Sequence, residues 1–371
     1  GHQTQLETEN AVSRRERGGR GLRWERLPHR RALAGGLLAL AAAVLGIGVA
    51  LATSGSAPAH HPTLGTGSGA GTTPGGAPPP TPVPRSSFAV GIRTLDLVDD
   101  SRSITLHGGS VQPRSLVTYV RYPAVGSPGG RDLANASPAR EDGPFPLIVF
   151  GHGFNVTPAL YSKLLHAWAQ AGYVVAAPVF PLENANAPEG ANENDLTNQP
   201  ADMRFVISRL LAASANAADP LAGLLDPGAI AVTGQSDGGD TALAVAYDSR
   251  FKDPRVTAAV ILSGAEIPAT GSFTFLPGSP PLLATQGSAD NVNPPYLTET
   301  FFEAATRPKY LLRLPRAEHL PPYTGQQPQL TIVERVTTAF LDAYLKHRTP
   351  ALQKLGSLGN VPGSASLLAE P

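Results

Sequence analysis

The chain has 371 residues, with 29 Lys and Arg against 29 Asp and Glu, so its formal net charge is zero and no nucleic acid or other polyanion partner is implied. It has no cysteine, which excludes disulfides, thiolate metal sites, a cysteine nucleophile and a lipidated-cysteine anchor. The neutrality is uneven, because Arg14, Arg15, Arg17, Arg20, Arg23, Arg26, Arg30 and Arg31 crowd the N-terminal part.

Residues 1–31 are the basic segment, expected on the cytoplasmic side. Residues 32–52 carry no charge, and about 20 apolar residues span a bilayer core. They read as a transmembrane signal anchor, or as a signal peptide cut after Ala57-Pro58-Ala59. The positive-inside rule then puts the rest of the chain outside the cytoplasm, anchored or secreted. Residues 53–86 are Gly, Ser, Thr, Ala and Pro with almost no large apolar side chain, the composition of a disordered linker.

From residue 87 the pattern becomes that of a folded domain, expected to run to 347. Residues 88–97, 103–107 and 116–122 alternate as strands and predict an antiparallel N-terminal edge. Residues 146–150 read as a buried strand. Residues 158–171 read as a helix capped by Thr157, with Pro158 in its first turn, Gly172 at its end, and Leu160, Leu164, Leu165 and Trp168 on one face. Residues 173–177 are a strand, 201–214 a helix and 229–233 a strand entered through the turn Asp226-Pro227-Gly228. Further strands are expected at 256–262, 282–285 and 310–314, and an amphipathic helix at 329–346. Residues 348–371 read as a loose tail. Strands alternating with helices predict a mostly parallel central sheet with helices on both faces.

The strand at 229–233 ends in Gly234-Gln235-Ser236-Asp237-Gly238, a Gly-x-Ser-x-Gly turn followed by a helix of small residues. That order suits a nucleophile elbow, with Ser236 at the bend. A serine hydroxyl needs a base to take its proton. On such a sheet the partners follow as acid and then histidine, each on a loop after a later strand. His319 follows the strand at 310–314, whereas His347 sits at a helix end, where a cation has a bland electrostatic role. Asp290 follows the strand at 282–285 and is preferred as the acid over Glu266. The oxyanion needs two preset backbone N–H groups. Asp237, directly after the serine, and Phe154, in the loop Gly151-His152-Gly153-Phe154 after the strand at 146–150, are the candidates, with Gly153 the next choice in that loop. His152 is read as a structural loop histidine. Phe154, Phe180, Tyr296 and Tyr323 are candidates for an acyl pocket. In the loop 182–200, Glu183, Glu189, Glu193 and Asp195 are weighed as calcium ligands, but the spacing is not that of an EF-hand and a solvated connection is preferred.

Five pieces carry a resemblance to a known superfamily: Phe150-Gly151-His152-Gly153-Phe154, the run from Phe180 to Pro188, Asn198-Gln199-Pro200-Ala201-Asp202, Gly234-Gln235-Ser236-Asp237-Gly238-Gly239, and Asp290 with His319. Residues 88–347 resemble the α/β-hydrolase superfamily. Within it they look like bacterial chlorophyllase, platelet-activating-factor acetylhydrolase and dienelactone-hydrolase-related esterases, which border the cutinase-like polyester hydrolases. The resemblance implies an α/β-hydrolase fold and hydrolysis of a small, lipid-like or polymeric ester through an acyl-serine, with no cofactor and no metal. Gln235 stands where such families often carry His. The lack of cysteine disfavours dienelactone chemistry, and Asp237 replaces the Met that polyester hydrolases often carry. A polyester hydrolase, or a non-catalytic surface protein that keeps the fold for binding, are the alternatives. The catalytic domain is expected to be monomeric.

Overall fold

The computed structural model describes residues 87–267 and 272–371. The basic segment, the apolar run and the linker expected over 1–86 lie outside the described residues. Among the described residues no helix is long and apolar enough to cross a membrane.

The alternating runs form ten strands of one sheet. In chain order they are β1 (Ala89–Thr105), β2 (Val111–Ala124), β3 (Asp132–Ala134), β4 (Phe145–Gly151), β5 (Val174–Pro178), β6 (Leu225–Gln235), β7 (Ala258–Leu262), β8 (Leu282–Gly287), β9 (Lys309–Leu314) and β10 (Ser366–Glu370). Across the sheet the order is β10-β9-β8-β7-β6-β4-β5-β2-β1-β3. The six strands from β5 to β9 in that order pair in parallel. β1 and β2 form the antiparallel edge expected from their alternation, and β2 runs antiparallel to β5. The two runs expected at 88–97 and 103–107 are one strand with a register shift between Asp99 and Ser103. The short β3 pairs with β1 in parallel outside that hairpin.

The helices are α1 (Ser162–Gln170), α2 (Gln199–Ala215), α3 (Asp237–Tyr247), α4 (Pro295–Ala304), α5 (Pro321–Thr324), α6 (Gln329–Tyr344) and α7 (Thr349–Gly359). Successive strand residues point to opposite faces, and the sheet therefore builds two cores. From β4, Leu147 and Val149 join Met203, Val206 and Leu243 of α2 and α3. Its neighbours Ile148 and Phe150 join Trp168 of α1 and Val333 and Phe340 of α6.

Two expectations need correction. Thr157 makes no side-chain cap, and a 3₁₀ turn over Pro158–Tyr161 precedes α1. Leu160 consequently leaves the apolar face and is exposed, while Leu164, Leu165 and Trp168 are buried as expected. The loose tail expected at 348–371 is ordered as α7 and β10, and β10 pairs antiparallel with β9. Leu355 of α7 and Ala365 just before β10 complete the core on the α6 face. Polar and apolar residues mix too evenly there for periodicity to reveal the burial.

The topology sets where a site can form. From β4 the chain steps to β5 on one side, then returns to β6 on the other. Loops leaving β4 and β6 therefore diverge and open a crevice at the carboxyl ends of these strands, the usual ligand position in open α/β sheets.

Candidate active site

The strand β6 ends at Gln235 and α3 begins at Asp237, so one residue makes the whole turn. Ser236 adopts φ 55° and ψ −128°, a strained backbone for a residue with a β-carbon. Close packing holds it there. A β-carbon on Gly234 would overlap the Gly238 carbonyl, and one on Gly238 would overlap the carbonyls of Gly151 and His152. The Ser236 N–H donates to the Leu262 carbonyl of β7 at 3.0 Å.

The structure brings together the three side chains that the sequence separates. Ser236 Oγ lies 2.8 Å from His319 Nε2, and His319 Nδ1 lies 2.8 Å from Asp290 Oδ2. An ionised carboxylate only accepts, so Nδ1 carries the proton and Nε2 is free to accept from the serine hydroxyl. Asp290 is fully satisfied. Its Oδ1 accepts from the Val292 and Asn293 backbone N–H groups at 3.0 and 2.9 Å, and its Oδ2 also accepts from Gln286 Nε2 at 3.2 Å. Burial pushes the Asp290 carboxyl up, but the His319 hydrogen bond and charge and these two amides outweigh it and hold the group below the usual carboxylate range. Glu266 is half-buried, and burial beside Asp248 pushes its carboxyl up; the His319 imidazole bonds to Asp290 instead.

The loop after β4 reaches Ser236 directly. A β-carbon on Gly153 would stand 3.1 Å from Ser236 Cβ, so only glycine admits this approach without displacement. The Gly153 N–H is engaged, donating to Tyr161 Oη at 3.3 Å. The N–H groups of Phe154 and Asp237 make no hydrogen bond among the described residues. Asp237 also opens α3, whose N-terminus favours negative charge.

His152 is the structural residue expected. Its Nε2 accepts from the Phe180 N–H at 3.0 Å and its Nδ1 donates to the Gly153 carbonyl at 2.8 Å. Burial pulls it down to about 4, so the ring stays neutral and ties the β4 loop to the end of β5.

Sequence reasoning missed the residues that join the two sides of the site. Gln235 Oε1 accepts from Tyr161 Oη at 2.7 Å, and Gln235 Nε2 donates to the His319 carbonyl at 3.0 Å. A relay thus runs from Gly153 through Tyr161 and Gln235 to the loop of His319. Gln286 donates to Asp290 and is held in turn by Thr298 Oγ1 at 2.6 Å. Only the unusual Gln235 in the elbow pattern signalled any of this.

The acyl-pocket candidates separate. Phe180 and Tyr323 are fully buried core residues, and the Tyr323 hydroxyl bonds Ser263 and Thr285. Phe154 and Tyr296 are exposed. The calcium candidates do not converge. Asp195 is ion-paired to Arg114 at 2.6 Å, Glu189 pairs with His107 at 2.8 Å, and Glu183 is buried. Among the described residues no group of three acidic or histidine side chains could hold a metal.

Comparison with known proteins follows the same lines. A family model described as Chlorophyllase matches residues 117–293, a stretch that contains Ser236 and Asp290 and stops before His319. The structure is similar to that of a ferulic acid esterase from Streptomyces cinnamoneus, with a TM-score of 0.53 and 23% sequence identity over 72% of this chain and 93% of that one. At that identity the likeness shows the fold. No curated protein matches this chain.

Proposed function

We propose that this carboxylic-ester hydrolase of the α/β-hydrolase fold works through Ser236 as nucleophile, His319 as base and then acid, and Asp290 as the residue that orients the imidazole. The observation that carries the reading is the unbroken line from Ser236 Oγ through His319 to Asp290, with both contacts at 2.8 Å. Ser236 Oγ attacks the ester carbonyl as His319 Nε2 takes its proton. The carbonyl oxygen becomes an oxyanion held by the Phe154 and Asp237 N–H groups. The alcohol leaves with the proton from His319, and an acyl-serine remains. Water, deprotonated by the same imidazole, then releases the acid and restores the serine.

The substrate is a small ester with an apolar acyl group, or its lipid-like or polymeric counterpart. The exposed side chains of Phe154, beside the close-packed Gly153, and of Val292 and Tyr296, just after Asp290, support an apolar contact at an open site. A panel of p-nitrophenyl esters of increasing chain length, a feruloyl ester, a phytyl ester and a polyester film separates these classes. Ser236→Ala should lower kcat by at least about 10⁴-fold, with fluorophosphonate labelling abolished. Unchanged hydrolysis in that variant would end this assignment, and a folded wild-type protein that resists the probe would favour the binding-protein alternative.

An extracytoplasmic, monomeric catalytic domain is part of the same proposal. The arginines that precede the uncharged run at 32–52 support the extracytoplasmic placement. Protease added to intact cells should degrade the domain, and gel filtration should give the mass of one chain.

A further inference from the structure

Glu183 sits in the loop after β5 and is fully buried. Among the described residues neither of its carboxyl oxygens has a hydrogen-bond donor, and Asp237 Oδ2 is equally without one. The two side chains are neighbours within reach of a shared hydrogen bond. Two ionised carboxylates cannot bond, since each only accepts. A single proton on one of them turns the contact into a hydrogen bond. Burial first, then Asp237, then the charges of Asp195 and Glu193 push the Glu183 carboxyl far above the usual carboxylate range. Glu183 therefore holds the proton and is the donor of the pair.

The main chain of the same segment grips the other half of the site. The Asn155 N–H donates to the Glu183 carbonyl at 2.9 Å, and the Ala185 N–H donates to the Val156 carbonyl at 3.2 Å. Asn155 follows Phe154 directly. Glu183 thus touches the β4 loop through its backbone and the start of α3 through its side chain.

We propose that Glu183 is a positioning residue of the oxyanion hole: as a neutral carboxylic acid it clamps Asp237 to the loop of Phe154 and sets the spacing of their two N–H groups. This rests on the assignment of those two amides as oxyanion donors. The shared proton has a second effect. A neutral Glu183 adds no negative charge beside Ser236, which lessens repulsion of the developing oxyanion.

The test compares E183Q with E183M on a soluble p-nitrophenyl ester, with Ser236→Ala as control. The Gln amide still donates to Asp237; Met fills the space without a donor. E183M should lose about 10- to 100-fold in kcat with KM within about twofold, because donor geometry matters only as charge develops. E183Q should recover to within about threefold of wild type. Equal kcat in folded E183M and E183Q would overturn the proposal, even while an inactive Ser236→Ala leaves the nucleophile assignment standing. Should E183M not fold, infrared spectroscopy of the wild-type protein at mildly alkaline pH reads the proton itself. A protonated-carboxyl C=O band that disappears in E183Q is expected, and its absence from the wild type would overturn the clamp.

Discussion

Gln235 is the residue whose chemistry the elbow pattern leaves open. Its amide is both donor and acceptor, so it can accept from Tyr161 and donate to the His319 carbonyl at once. Alanine there would strand a buried phenol and loosen the loop that carries the base. Gln235→Ala should cost roughly 1–3 kcal/mol of stability and about tenfold in kcat, since the base must be held in its reactive position. Thermal melting and steady-state kinetics check this, and unchanged values in both would show that the relay is dispensable. A second residue ties stability to pH. His166 Nδ1 meets Asp132 Oδ1 at 2.7 Å and its Nε2 meets the Gly129 carbonyl at 2.9 Å, so both nitrogens must donate and the ring is charged. The hydrogen bond to Asp132 raises the His166 pKa, with burial opposing it. A histidine raised on folding stabilises fully below its unfolded value of about 6.5 and loses that contribution as pH rises through the folded value. The wild-type melting temperature should therefore fall over this range above about pH 6.5, and H166Q should flatten that slope; parallel curves would contradict the assignment.

Single elements carry the next level of constraint. The start of α3 lies so close to β4 that only hydrogen fits at Gly238. Gly238→Ala must push the β4 loop away from Ser236, and so should lower kcat by about 10-fold or more, because small displacements of donors are costly. Comparing its activity with its melting temperature separates displacement from unfolding. The connection before α2 is held by charge. Arg114 of β2 donates to both Asp195 and Asp202 at 2.6 to 3.0 Å, and all three are buried. Arg114→Ala removes the shared guanidinium, leaving Asp202 only Arg102 at 2.8 Å and Asp195 only Asn198 at 2.8 Å, and should cost about 3–5 kcal/mol in a denaturant titration. The loop that delivers Glu183 lies between β5 and this network, so its anchoring reaches the candidate site.

Across the whole molecule, the sheet places each reactive loop at one rim. β4, β6, β8 and β9 run parallel, so the loops carrying Phe154, Ser236, Asp290 and His319 all leave at their carboxyl ends. The far edge is closed by β10, which covers the open side of β9. Ending the chain after residue 347 would expose that edge and the cavity left by Leu355. It should lower the melting temperature and promote aggregation, whereas Leu355→Ala alone should cost about 2–5 kcal/mol. Light scattering during a thermal ramp reads both effects.

Alternating and buried apolar runs located most of the strands, and the Gly-x-Ser-x-Gly turn with the loops after later strands singled out Ser236, Asp290 and His319 as candidates. Local geometry decides that much: a strand, a turn and a helix start are written in neighbouring residues. The juxtaposition of Glu183 with Asp237, of Gln235 with Tyr161 and His319, and of residues 348–371 with the core arises only on folding. A carboxyl keeps a proton because of what buries it, and a hydrogen bond exists because of what stands opposite. Those neighbours come from distant parts of the chain, where no periodicity records them.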